Sequence, residues 1–150
     1  MRAHTLSIAL CCALLLAGCG GGPFVIIPGG ALSGSLVAAP EDWSTLSADD
    51  TVQVEFSPAD PYSINIWGVG IGRDLYIATG DGGTRWTPMA EADPRVRARV
   101  GGALFELQAV AVTDAAERAR VIAAYVRKYD VDPDDSWVHD GRIYRLDRRP

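Results

Sequence analysis

Residues 95–109 read Arg-Val-Arg-Ala-Arg-Val-Gly-Gly-Ala-Leu-Phe-Glu-Leu-Gln-Ala. On both sides of Gly101-Gly102 apolar and polar residues alternate, which is the two-residue period of a β-strand. With Gly101-Gly102 as a two-residue turn, Val96, Ala98 and Val100 share a face with Ala103, Phe105, Leu107 and Ala109. The other face carries Arg95, Arg97 and Arg99 across from Gln108, Glu106 and Leu104, with Arg97 directly opposite Glu106. A slip of one residue would exchange the two faces. The hairpin, which extends over residues 95–112, is therefore the firmest local constraint on the fold.

The rest of the chain reads as further short strands with few helices. Residues 51–56 alternate like a half-buried strand, and the two prolines in residues 57–61 make a loop. Residues 63–79 predict a second hairpin. Ile64, Ile66, Val69 and Ile71 lie on one arm, Leu75, Tyr76 and Ile77 on the other, and Gly72-Arg73-Asp74 forms the turn. Gly68, Gly70 and Gly72 share a face of its first arm, where another backbone or a ligand approaches closely. Residues 32–37 suit a first strand, residues 40–43 a helical turn behind Pro40, and residues 142–146 a last strand that ties down the C-terminus. A short helix is expected with Thr87 as N-cap and Pro88 at its first position, ending before Pro94. The principal helix covers residues 114–129. Asp114 and Glu117 resemble a capping box, and Ala115, Ala119, Ile122 and Val126 form an apolar stripe that Tyr129 extends. About six strands and one major helix near the C-terminal third give a mainly β, α+β chain, a small antiparallel barrel or sandwich.

The N-terminus has a separate organisation. Arg2 and His4 precede twelve residues, 5–16, that are apolar apart from Thr5 and Ser7. That run is too short to span a bilayer, which takes about 20 residues, but it suits a secretory signal. It closes on Leu16-Ala17-Gly18-Cys19, which resembles the lipobox of bacterial lipoproteins. The resemblance implies a signal peptide over residues 1–18 and a lipidated (palmitate-class) Cys19. It also implies a site at the cell membrane or outer membrane, facing periplasm or exterior. Gly20-Gly21-Gly22-Pro23 then reads as a short tether within residues 19–30, with the domain over residues 31–150. Cleavage removes Cys11 and Cys12 and leaves the mature chain no thiol for a disulfide or a cysteine metal site. The removed segment holds one basic residue, Arg2, and no acidic one, so the net charge moves from −5 to −6. An acidic chain argues against nonspecific nucleic-acid binding and leaves membrane attachment to the acyl chains.

No catalytic group declares itself. His139 is the only histidine after cleavage and sits beside Asp140-Gly141, as surface histidines do. Asp130, Asp132, Asp134 and Asp135 lack the glycine and the terminal glutamate of an EF-hand calcium loop, so a solvated loop and no metal is expected. Arg95, Arg97 and Arg99 read as a solvated face paired with Glu106. The best candidate site is residues 79–87. Its glycines free backbone N–H groups, Thr84 and Arg85 add a hydroxyl and a bidentate cation, and a helix N-terminus follows. Such a set suits a phosphate, although on these residues alone a plain flexible turn is the better account.

Three stretches carry a further resemblance. They are Leu75-Tyr76-Ile77-Ala78-Thr79-Gly80-Asp81-Gly82-Gly83-Thr84-Arg85-Trp86 followed by Glu91-Ala92-Asp93-Pro94-Arg95-Val96, then residues 100–107, then Asp114-Ala115-Ala116-Glu117-Arg118-Ala119-Arg120. In this order and spacing, over about half the chain, they resemble the split β-barrel flavin-binding superfamily. That group includes pyridoxamine 5′-phosphate oxidase-like and deazaflavin-dependent nitroreductase-like proteins. The resemblance implies a small antiparallel split β-barrel that binds FMN or a deazaflavin. Thr79, Gly82, Gly83, Thr84 and Arg85 would surround its phosphate, Trp86 or Trp67 would pack on its ring, and a homodimer is expected. Met89-Ala90 stands where those nitroreductase-like proteins usually have Asn-Leu, and Arg73 stands alone where they have a basic phosphate-binding turn. A noncatalytic lipoprotein that uses the same barrel without a cofactor is the alternative.

Overall fold

The computed structural model describes residues 27–46, 52–80 and 82–150. Cys19, the signal peptide and most of the tether lie outside the described residues. The elements run β1 (Ser35–Leu36), β2 (Val52–Phe56), β3 (Tyr62–Ile66), β4 (Gly68–Ile71), β5 (Asp74–Ala78), α1 (Thr87–Ala92), β6 (Arg95–Val100), β7 (Ala103–Ala111), α2 (Ala115–Tyr129), α3 (Ser136–Asp140) and β8 (Ile143–Arg148). Seven strands form one sheet in the order β3-β2-β6-β7-β8-β5-β4, every pair antiparallel, while β1 adds to β7 in parallel.

That order forces the sheet to curl. Laid flat, its two end strands would stand roughly 29 Å apart. Yet β3 and β4 are those end strands, and Trp67 alone separates them in the chain. The two Cα atoms flanking one residue are at most about 7 Å apart, so the sheet closes at that corner and splits open along the rest of the β3 and β4 edges. Residues 63–71 are therefore not the single hairpin arm expected. They are two strands at opposite ends of the sheet, β3 paired with β2 and β4 paired with β5. Trp67 itself is a good strand former, so closure of the barrel, not local preference, makes the break.

The β6–β7 hairpin has the expected register, Arg97 opposite Glu106 and Val100 opposite Ala103. Gly101 and Gly102 turn at φ 55° and 85°, the left-handed values that such a turn demands. Val96, Ala98, Phe105 and Leu107 point into the barrel with Val54, Phe56, Leu75, Ile77, Tyr144 and Leu146. Arg97, however, does not pair with Glu106. It forks onto Glu55 of the adjacent β2, with Nε and Nη2 at 2.9 and 2.5 Å from the carboxylate. Arg99 likewise reaches Gln53 and the Ser33 carbonyl. Arg97 and Arg99 are thus built into the structure, while Arg95 stays exposed and pairs with the neighbouring Asp93.

Gly29 and Gly30, placed with the tether by the sequence, bond to β3. Gly29 exchanges two backbone hydrogen bonds with Ser63 at 2.8 Å, and the buried Ser63 hydroxyl donates to the Gly30 carbonyl at 2.7 Å. The Leu32 N–H donates to Glu55 at 2.6 Å. These contacts lay residues 29–32 as a strap over the outer face of β2 and β3. Residues 40–43 form no helix; the turn comes one step later, with the Leu46 N–H on the Trp43 carbonyl. Trp43 enters the barrel core edge-on to Phe105, and its backbone crosses β4 at Gly70. A Cβ on Gly70 would lie 1.9 Å from the Trp43 carbonyl oxygen. The close neighbour that the glycine spacing implies is thus a backbone.

Helix α2 covers the outer face of β4 and β5. Asp114 caps it, accepting from the Glu117 N–H at 2.7 Å, and Asp130 ends it at φ 51°. The buried positions are Val121, Ala124 and Tyr125, set against Val69, Tyr76, Val112 and Ile143. Ala115 and Ala119 of the expected stripe are exposed. The helix is rotated because Glu117 and Arg118 turn inward to bond. Glu117 accepts from Tyr76 and Arg145, and Arg118 donates to the carbonyls of His139 and Gly141. Burial and the Glu117 carboxylate hold the Tyr76 phenol up at about 12. Strand β8 is longer and more central than a terminal tie, lying between β7 and β5, and the short α3 before it was not expected.

Candidate functional site

The split in the barrel is a cleft of about 490 Å³, within the range of pockets that hold cofactor-sized ligands, about 300–1,000 Å³. Tyr62, Ile64 and Ile66 of β3 form one wall. Opposite them stand Ala78, Thr79 and Gly80, where β5 ends. Trp86 lies at the base, with Ile27, Trp67 and Arg85 around the cleft. Five of the expected site residues thus come together: Thr79, Thr84, Arg85, Trp86 and Trp67. Gly82 and Gly83 do not line the cleft.

Residues 80–87 differ from the expected phosphate cradle. Gly83 donates its N–H to the Gly80 carbonyl at 3.1 Å. The Thr84 N–H donates to the Thr87 hydroxyl at 2.9 Å, and the Thr87 N–H returns to the Thr84 carbonyl at 3.1 Å. The Gly83 and Thr84 N–H groups therefore close the loop on itself and are not aimed at a ligand. Thr87 is the first helical residue and Trp86 takes the N-cap position without a side-chain cap bond. The buried Thr87 side chain serves the loop ahead of it.

What the loop offers the cleft is side chains. Thr84 and Arg85 are exposed. The Arg85 guanidinium sits 4.7 Å above the Tyr62 ring, and among the described residues no carboxylate pairs with it. Thr79 is buried; its N–H extends the β5–β8 ladder to the Arg142 carbonyl, and its hydroxyl donates to the Gly80 carbonyl at 2.7 Å. Trp86 is 3% exposed, stacked on Phe56 at 4.9 Å and edge-on to Tyr144 at 5.3 Å. Its ring is core, touching the cleft only as floor. Trp67 is 54% exposed and lies parallel to the Tyr129 ring at 4.6 Å. Lys128 sits over Tyr129 and donates to the Gly68 carbonyl. Of the two tryptophans, Trp67 presents the stacking surface.

Sequence reasoning missed the β3 wall, above all Tyr62. The available signal was an aromatic residue opening a strand directly after the two-proline loop. His139 lies exposed on α3 and takes no part in the cleft. No group of three or more His, Cys, Asp or Glu among the described residues is placed to hold a metal.

The donor set suits an anionic, aromatic-ringed ligand in part. A guanidinium and a hydroxyl stand on one side and a tryptophan ring lies at the same opening, while the Gly83 and Thr84 N–H groups are bonded within the loop.

Residues 42–139 match the family DUF2255, described as an uncharacterized protein conserved in bacteria. No curated protein matches the chain. Among solved structures it is similar to an FAD-binding protein from Mesorhizobium loti, at 13% identity and a TM-score of 0.55 over 70% of this chain and 85% of that one. A conserved hypothetical protein from Mycobacterium tuberculosis matches at 19% identity and a TM-score of 0.54, covering 67% and 73%. An F420 reductase matches at 14% identity and a TM-score of 0.51, covering 74% and 96%. These likenesses carry the fold: the chain is a split β-barrel, the architecture that the resemblance in its sequence implied.

Proposed function

Since the chain belongs to the DUF2255 family of bacterial proteins, whose description assigns no activity, we propose a function from its own cleft. It is a lipid-anchored envelope protein whose split barrel binds a flavin or deazaflavin nucleotide and serves as an oxidoreductase. The observation that carries the cofactor reading is the convergence of Arg85, Thr84 and Trp67 on one 490 Å³ cleft. It is supported by the same fold in an FAD-binding protein and an F420 reductase. Arg85 and Thr84 hold the phosphate, and Trp67, backed by Tyr129, lies against the ring system. Such a cofactor supplies hydride transfer when bound. The protein's own contribution is a dry wall of Ile64, Ile66 and Ala78 and a charge at the rim.

The anchor rests on Leu16-Ala17-Gly18-Cys19 behind the apolar run of residues 5–16. A chain exported unfolded would acquire its cofactor outside the cytoplasm. The self-satisfied N–H groups of Gly83 and Thr84 favour a second reading, a binding protein with no redox role.

Titration of the purified full chain with FMN, and separately with a deazaflavin, separates the readings. Saturable quenching of cofactor fluorescence is expected, weakened about tenfold in Arg85→Ala, the worth of one charge-assisted contact. No binding of either cofactor at high micromolar concentration overturns the oxidoreductase reading. Independently, Cys19→Ser should abolish acyl labelling and release the protein from membranes.

A further inference from the structure

We propose that the mouth of the cleft is applied to the lipid surface that holds Cys19, so that the site opens toward the membrane. This rests on the lipid-anchor reading above and adds an orientation to it.

The first argument is length. Seven residues lie between Cys19 and Ile27. Fully extended, those eight steps reach about 28 Å, and as a glycine-rich coil they average about 16 Å. A domain of this size is roughly 35 Å across. The lipid therefore holds whichever side of the domain Ile27 occupies, and Ile27 lines the cleft. Its place is fixed by the bonds that tie Gly29 and Gly30 to Ser63 directly behind it.

The second argument is chemistry. Four large apolar residues among those described are exposed, and two of them, Ile27 at 61% and Trp67 at 54%, line this one cleft. Tryptophan, with an apolar ring and a polar N–H, is the residue most at home at the headgroup level of a bilayer. Arg85 lines the same cleft and Lys128 sits over the Tyr129 ring that backs Trp67. Both place positive charge beside the exposed Trp67 ring of a chain whose net charge is −6 once residues 1–18 are removed, and positive charge near an anionic leaflet is favourable.

The test uses the full chain, processed in bacterial membranes and reconstituted into vesicles of phosphatidylethanolamine and phosphatidylglycerol with brominated acyl chains. Mass analysis of the N-terminal peptide reports acylation of Cys19. The emission of Trp67 is obtained as the difference between the chain and Trp67→Phe. Bromolipid should reduce it roughly twofold or more, as for a ring at headgroup depth, while aqueous iodide loses access to it. A second measurement does not depend on Trp67. Cys19 is acylated and the mature chain has no other cysteine, so Ile27→Cys takes an environment-sensitive thiol probe at one site. Its emission should shift to the blue on vesicles. The same probe at Arg73→Cys, on the exposed turn at the far end of the β4–β5 hairpin, should not shift.

An acylated chain whose Trp67 ignores bromolipid and stays open to iodide overturns the orientation and leaves the anchor standing. Shielding from both quenchers, with a dimer mass, assigns the mouth to a second copy and also overturns it. An unacylated Cys19 overturns anchor and orientation together.

Discussion

Replacing Glu55 by alanine tests the least expected contact in the barrel. Its carboxylate is 3% exposed although it points away from the barrel core, because residues 29–32 lie across it. It accepts from Arg97 Nε at 2.9 Å, Arg97 Nη2 at 2.5 Å and the Leu32 N–H at 2.6 Å. Its removal strands the Leu32 donor, at about 1–3 kcal/mol, and the fork of Arg97, whose side chain is 29% exposed and so partly rehydrated. The sum is about 3 kcal/mol, at the low end for a broken buried pair and a large share of a domain stability of about 5–15 kcal/mol. Arg97→Ala leaves the carboxylate buried with one donor and should cost about as much. The double variant removes both charges and should also lose only about 3 kcal/mol, giving a coupling near 3 kcal/mol. Glu106→Ala is the control. Its side chain is 48% exposed and its ion pair among the described residues is with Arg149, at 3.7 Å, a surface pair worth about 0–1 kcal/mol. Urea unfolding followed by tryptophan emission measures all four, the midpoint shifting at constant slope. Single losses that add within about 0.5 kcal/mol would refute the pairing, and a larger loss for Glu106→Ala would restore the partner that the strand register implied.

Gly70→Ala should cost about 3 kcal/mol, because its Cβ would lie 1.9 Å from the Trp43 carbonyl oxygen and only backbone movement relieves that. Gly82→Ala, with nothing within 4 Å of the added carbon, should change little, and equal melting temperatures for the two would contradict the close approach. Asp114→Ala should lose about 1 kcal/mol by urea midpoint, with Asp114→Asn largely sparing it, since either side chain accepts from the Glu117 N–H. The Tyr76 phenol, held up at about 12 by burial and Glu117, is folded in its neutral form. Its contribution is complete below its unfolded value of about 10 and is lost as pH rises toward the folded one. Stability measured by urea should therefore fall between those limits, less steeply in Tyr76→Phe; a flat profile would remove Tyr76 from the account.

The β6–β7 hairpin was legible because both determinants of its register, the alternation and the turn glycines, lie within fifteen consecutive residues. The partner of Arg97 was not. It depends on β2 lying beside β6 and on a strap that shields Glu55, two contacts set by distant segments. Helix α2 was legible in extent and cap, but its buried face was misplaced. Hydrophobicity alone favours Ala115 and Ala119, whereas Glu117 and Arg118 face inward because they meet the tyrosine, arginine and carbonyl groups waiting there. In the candidate site, Thr79, Thr84 and Arg85 were legible as polar residues around a glycine turn. Gly83, however, spends its N–H on Gly80, and the Thr84 N–H goes to Thr87, a residue expected to cap the helix instead. Sequence pattern shows where N–H groups can be exposed; it does not show which hydroxyl will claim them.

Closure of the barrel and formation of the cleft are one event, centred on Trp67. Joining the two end strands through a single residue leaves polar backbone at a sharp corner, and buried backbone groups must be bonded. The C-terminal turns of α2 supply the partners. Tyr125 donates its hydroxyl to the Trp67 carbonyl at 2.9 Å. The Tyr129 hydroxyl accepts from the Gly68 N–H at 3.0 Å and donates to the Gly68 carbonyl at 2.9 Å, which Lys128 also meets at 2.7 Å. Gly68 is itself required there, since a Cβ would press within 2.8 Å of Val52. With its backbone pinned in this way, the Trp67 ring is left half exposed, flat against Tyr129, at the side of the cleft. The stacking surface of the proposed site is thus a by-product of how the sheet is closed. It follows that the outer helix and the cleft are mechanically joined through three residues, Tyr125, Lys128 and Tyr129. Loosening the end of α2 would disturb Trp67 together with the outer cluster that holds Tyr125, while the barrel cluster of Val54, Phe56, Leu75 and Ile77 lies on the other side of the sheet.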